Sequence, residues 1–312
     1  MKTKQFFTMA FWGLMVAVTF TSCEGTLDDI FGEWSSPTGN NNNTKNTVEG
    51  LLPGKFQVDT SGTKVQFSKG NLQATYNGSE WSWAFAENQW YYVGDAAANT
   101  SINGNGTISG TGSVDLFGWV GETGKMTTYP AKYGISISSD PNDYSTSATD
   151  KLNEWGTLAI INGGNTSNSG WRTLTRDEWG YLFKTRTDAN QKYGHGRING
   201  VNGMIILPDS WTLPTGLTFS AGNSFWINNY TIDQWYLMEA AGAIFLPAAG
   251  GRSDYGAKVK YAGIYGRYWA SSPVPETNSA GAVFFASESL NPTSDYWPNY
   301  GNSVRLVMTV NE

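Results

Sequence analysis

Cysteine occurs once in this 312-residue chain, at position 23, and histidine once, at position 195. One thiol excludes a disulfide within the chain and any centre built from several thiolates. One imidazole excludes metal sites that need a set of histidines. Charged residues make up only 15% of the sequence, too few for a surface laced with ion pairs, and no apolar run after the first twenty residues approaches membrane-spanning length. The charge that is present is acidic, −6 overall and −8 once residues 1–22, with their two lysines, are removed. That balance argues against a nucleic-acid partner, whose phosphates need a cationic surface.

What is present begins with a leader. Lys2 and Lys4 precede an apolar run from Phe6 to Phe20, followed by Thr21-Ser22-Cys23-Glu24. A basic start, a short apolar stretch and small residues before a cut site describe a secretory signal. A cysteine at the cut adds the lipobox of a bacterial lipoprotein, which makes Cys23 the expected lipidation site. From Gly32 to Val48 the chain reads GEWSSPTGNNNNTKNTV, with almost nothing apolar to bury, and is expected to be a solvated stalk. Glu24, Asp28 and Asp29 behind the cysteine resemble the surface-export signals of Bacteroidetes-type lipoproteins. The expected division is therefore signal peptide 1–22, lipidated stalk 23–47 and a single domain over 48–312, anchored at the outer membrane and facing outward.

Within that domain, 37 glycines, 14 tryptophans and 16 tyrosines point to a loop-rich, β-rich fold. Lys64-Val65-Gln66-Phe67 alternates, and Trp81-Ser82-Trp83-Ala84-Phe85 alternates with its aromatics on one face. The Gly/Asn/Ser/Thr-rich stretch from Gly94 to Gly112 reads as a surface loop, after which Val114 to Trp119 re-enters the core. Two helices have local start signals. Thr175-Arg176-Asp177-Glu178 and Thr231-Ile232-Asp233-Gln234 are both capping boxes, followed by Trp179, Leu182 and Phe183 in one case and Trp235 and Met238 in the other, and Gly242 supplies a left-handed stop. Short strands follow at 243–247, 267–270, 282–285 and 303–308. Tyr193-Gly194-His195-Gly196-Arg197 reads as a turn. The order predicts an α+β fold with two main helices and short antiparallel strands.

Six runs carry a resemblance. They are Val65 to Leu72 (VQFSKGNL), Val114 to Trp119 (VDLFGW), Trp171 to Trp179 (WRTLTRDEW), Phe245 to Gly250 (FLPAAG), Tyr268 to Pro273 (YWASSP) and Gly301 to Val307 (GNSVRLV). In this order they resemble Bacteroidetes surface lipoproteins with a C-type-lectin-like, formylglycine-generating-enzyme-like domain. Relatives of that group include targets of diversity-generating retroelements, in which a C-terminal stretch varies to change the ligand. The resemblance implies a C-type-lectin-like fold with its ligand-facing surface near the C-terminus.

The enzymes of that superfamily need groups that this chain lacks. Formylglycine-generating enzymes use their own cysteines and copper, and the iron-dependent sulfoxide synthases use several histidines. Neither set is available here, so no cofactor and no metal are expected. Calcium-dependent sugar binding on this fold uses Glu-Pro-Asn or Gln-Pro-Asp with Trp-Asn-Asp, and none of these occurs; Asn291-Pro292 and Asp140-Pro141-Asn142-Asp143 are partial echoes that turn chemistry explains.

The candidate binding surface lies between Ser271 and Asn302. Its mixture of Tyr and Trp with Asn, Ser, Thr and Asp is that of adaptable binding loops. Tyr296, Trp297 and Tyr300 are the central candidates, with Asp295, Asn299, Asn291, Ser287 and Glu288 as polar companions. Trp171 and Trp269 are expected in the core, and Arg305 as a structural donor to loop carbonyls. The sequence thus favours a non-catalytic, monomeric, lipid-anchored binding protein for a protein or glycan. Two alternatives stay open. A glycan-processing hydrolase requires two carboxylates about 5–10 Å apart, and Asp115, Glu122, Asp177, Glu178, Asp209 and Asp254 show no pairing signal beyond the helix cap. An adhesive appendage component requires exposed strand edges.

Overall fold

The strand signals near the start of the domain are built as their alternation requires. In a computed structural model that describes residues 48–95, 110–120, 154–253, 256–277, 279–298 and 300–310, β1 (Phe56–Gln57) pairs antiparallel with β2 (Lys64–Phe67). β3 (Leu72–Tyr76) is the centre of a second antiparallel sheet, flanked by β4 (Trp81–Phe85) and β5 (Gly112–Val114). Trp83 and Phe85 of β4 face the core, and the run from Val114 to Trp119 is buried as expected. The leader, Cys23 and the stalk lie outside the described residues, as does most of the loop after Gly94.

Both capping boxes form. Thr175 caps α1 (Arg176–Gly180): its hydroxyl accepts from the Glu178 amide at 3.1 Å, and the Glu178 carboxylate accepts from Thr175 N–H at 2.7 Å. The helix widens into a π-turn over Tyr181–Thr185, placing Trp179, Leu182 and Phe183 inside. Thr231 caps α2 (Ile232–Ala240) in the same way and buries Trp235 and Met238. The helix stops at Gly242, whose φ of +99° is a left-handed conformation that glycine adopts freely.

Between the helices the structure corrects the sequence reading. The segment around His195 is no turn but β6 (Tyr193–Ile198), joined to β7 (Val201–Ile206) by Asn199-Gly200, both at positive φ as a two-residue hairpin requires. The flanking glycines that suggested a turn answer a packing need: a Cβ at Gly194 would lie 2.7 Å from the Ser220 carbonyl oxygen, and one at Gly196 2.6 Å from that of Asn228. β8 (Asn228–Tyr230) lies parallel to β6, and β9 (Ile244–Pro247) completes the four-stranded order β8-β6-β7-β9. His195 itself is wholly buried, edge-on to Phe225 and Phe285, and burial holds its pKa below the usual value, so it is neutral.

The last third is more regular than its punctuation suggested. After the hairpin of β10 (Gly251–Ser253) and β11 (Gly256–Lys260) come three strands longer than expected, β12 (Tyr265–Val274), β13 (Ser279–Ala286) and β14 (Ser289–Tyr296), forming one antiparallel meander. The closing strand is shorter, β15 (Val307–Thr309), and pairs with β2, while Val307 also bridges Arg172. The described residues are thus an α+β arrangement of small sheets with two α-helices, and they fall in one compact unit.

Three aromatic-rich clusters fill it. One gathers Trp83, Phe117, Trp119, Trp155, Trp171 and Trp269; a second Phe56, Phe67, Trp179, Tyr268 and Phe285; a third Trp90, Trp235, Met238 and Phe245. The expected core tryptophans are therefore inside, and their indole N–H groups are satisfied: Trp171 donates to the Gly163 carbonyl at 2.9 Å and Trp269 to that of Phe117 at 2.6 Å. Arg305 is also a structural donor. It is fully buried, its Nη2 donating to Gln89 Oε1 at 2.7 Å, and burial lowers its pKa to about 10. Gln89 in turn donates to Glu239 at 2.7 Å, carrying a carboxylate's influence to the guanidinium through a neutral amide.

Candidate functional site

The meander ends where the sequence placed its binding residues. β14 stops at Tyr296, and a tight turn follows: Tyr300 N–H donates to the Trp297 carbonyl at 2.9 Å, and Trp119 N–H pins the Pro298 carbonyl at 2.9 Å. With its neighbour Pro298 buried, the turn presents Trp297 outward, 38% exposed. Tyr296 and Tyr300 stack at 6.1 Å with their inner edges against the core, and Trp297 meets Tyr300 edge-on at 6.0 Å. Asp295 sits beside them. Its Oδ2 accepts from Ser279 Oγ at 2.5 Å and from Thr277 Oγ1 at 3.1 Å. Together Thr277, Ser279, Asp295, Tyr296, Trp297 and Tyr300 line a shallow hollow of about 220 Å³.

Four of the eight candidates are therefore brought together, and three are not. Ser287 and Glu288 form the two-residue turn between β13 and β14, with Glu288 in the left-handed region at φ +66°. Asn291 lies near that same end, accepting from Thr293 N–H at 3.2 Å. The length of β14 puts this turn on the order of 20 Å from Tyr296 at about 3.3 Å per residue. One small ligand cannot touch both ends, so Ser287, Glu288 and Asn291 are removed from the site. Asn299 lies outside the described residues. The segment from 289 to 296, read as a loop because of its Pro, Asn and Asp, is a strand, and that is why Tyr296 is half-buried.

Sequence reasoning missed Arg267, Thr277 and Ser279. Arg267 belongs to β12, on the strand face opposite buried Tyr268. Its guanidinium carbon lies 4.2 Å from the Tyr296 ring centre, 4.7 Å from that of Tyr265 and 5.9 Å from that of Tyr300. Burial drives the Tyr265 phenol up to about 12, against the pull of the guanidinium, so that ring stays neutral at physiological pH. The signal that could have found Arg267 was its register: a cation alternating with buried Tyr268 must share its face with Tyr265, two residues away.

Three other carboxylates in the described residues serve the fold. Glu178 closes the cap and holds Arg172 through two contacts of 2.7 Å; Asp209 pairs with Arg186 at 3.3 Å; Asp115 is buried and accepts from Val93 N–H at 2.6 Å. Glu122 and Asp254 lie outside the described residues. Among the described residues no group of three or more His, Cys, Asp or Glu is placed to hold a metal ion, and no helix is long and apolar enough to cross a membrane. No protein-family model, curated protein or solved structure matches this chain.

Proposed function

We propose that this is a lipid-anchored, surface-facing glycan-binding protein of the outer membrane, tethered at Cys23 and carrying a non-catalytic, C-type-lectin-like domain over residues 48–312. The leader and lipobox support the anchor. The six ordered runs support the fold assignment, and the α+β arrangement with two capped helices is compatible with it. The observation that carries the binding role is the hollow of Asp295, Tyr296, Trp297 and Tyr300: an outward indole and two stacked phenol rings beside a carboxylate. Aromatic faces pack against the apolar faces of sugar rings, while a carboxylate ringed by hydroxyls accepts from sugar hydroxyls. At about 220 Å³ the hollow is smaller than the 300–1,000 Å³ of drug-sized pockets, which suits one sugar unit of a longer chain.

A glycan array probed with the full chain and with Trp297→Ala tests this. Trp297→Ala should weaken the bound glycans about tenfold or more, as removal of a central aromatic anchor does. Binding that survives both this change and the triple change of Tyr296, Trp297 and Tyr300 to Ala would place the ligand elsewhere.

A further inference from the structure

Arg267 is the unusual member of this neighbourhood. A half-buried guanidinium is ordinarily matched by a carboxylate or by several carbonyl oxygens, because its five donors have no other use. No carboxylate pairs with Arg267 among the described residues, and its Nε is shut away from solvent with no acceptor. Instead the cation is held over the Tyr296 and Tyr265 rings, with Tyr300 next in line. Rings above a guanidinium satisfy its charge but not its in-plane N–H groups. The two Nη groups, which unlike Nε are not among the buried unpartnered atoms, make a fork whose geometry matches the two oxygens of a planar carboxylate.

Tyr296 and Tyr300 are common to both features: they wall the hollow and they cradle Arg267. We propose that the hollow selects an acidic saccharide, a sugar unit bearing a carboxylate, with Arg267 holding the acid group and Trp297, Tyr296 and Tyr300 the ring. The proposal rests on the glycan-binding reading and adds the class of sugar. Asp295 is consistent with it. With Oδ2 taken by two hydroxyls, Oδ1 remains to accept from a sugar hydroxyl, while Arg267 offsets the repulsion between Asp295 and the ligand's acid. The acidic net charge of the chain does not oppose binding at this range, since charges beyond about 8 Å are screened at physiological salt.

The test is calorimetry of the full chain with an oligogalacturonide, with its methyl ester, which has the same backbone without the charge, and with a sulfated galactan. The acid form should bind about tenfold or more tighter than the ester, as expected for a fork-held carboxylate. Arg267→Gln should abolish that preference or reverse it through Asp295, the readout being the ratio of acid to ester affinity within each variant. Arg267→Lys, which keeps the charge and loses the fork, should fall between. Equal binding of acid and ester by the unaltered chain overturns the proposal whatever the variants do, and so does an acid preference that survives in a folded Arg267→Gln. In either case, if Trp297→Ala still weakens binding, glycan recognition itself stands. Tighter binding of the sulfated polymer overturns the choice of carboxylate. Failure of all three ligands to bind overturns the proposal together with the hollow as a sugar site.

Discussion

Glu154 shows how burial ties the protonation of a single side chain to folding. Its Oε2 accepts from the amides of Trp155 at 3.2 Å and Thr173 at 3.1 Å, and its Oε1 from the Thr173 hydroxyl at 3.0 Å. Burial outweighs these donors and lifts its pKa from 4.5 to about 7. The folded state therefore holds the proton more tightly than the unfolded chain does. Its contribution is complete below about pH 4.5 and is lost as pH rises through 7, a difference of roughly 3 kcal/mol. Glu154→Gln keeps the accepting oxygen and can donate its amide to the Thr173 hydroxyl. Urea titrations should show the unaltered chain losing stability between pH 4.5 and 7 and the variant holding level across that interval. An unchanged slope in the variant would assign the loss to another group. Nothing in the sequence marks Glu154, because its surroundings depend on Thr173, nineteen residues further on.

At the scale of elements, the two capped helices separate by what each cap also holds. At α2 the Thr231 hydroxyl accepts only from Gln234 N–H, at 3.3 Å, so Thr231→Ala should cost about 1 kcal/mol. At α1 Glu178 accepts from Thr175 N–H and also binds Arg172 in a fork, so Glu178→Ala should cost about 3 kcal/mol or more by stranding a partly buried cation. Thermal melts of the two variants check the order; equal shifts would mean that the ion pair contributes nothing. These helices were legible because a capping box is complete within four residues. β14 was not, since Asn291, Pro292 and Asp295 favour turns locally and only pairing with β13, Tyr296 opposite Ala280 and Ser289 opposite Ala286, makes them a strand. The hairpin at Asn199-Gly200 was legible and passed unread beside the glycines around His195. The candidate site was half legible for the same reason: residues adjacent in sequence, Asp295 to Tyr300, were found, whereas Arg267 reaches them only through the folded sheet.

For the molecule as a whole, the connection that matters runs from end to end. β15 pairs with β2, the Leu306 carbonyl accepts from Ser68 N–H and the Val304 carbonyl from Leu72 N–H, both at 2.9 Å, and Arg305 sits within the same run. Removing residues 303–310 strips β2 of one of its two partners and empties the Arg305 position, so the shortened chain should show no cooperative melting transition and no near-ultraviolet circular dichroism. A cooperative transition near the original temperature would mean that the other sheets stand alone. Contacts spanning more than 230 residues also place this fold among slow folders. A polypeptide emerging N-terminus first from a narrow conduit is therefore expected to stay threadable until its last strand arrives.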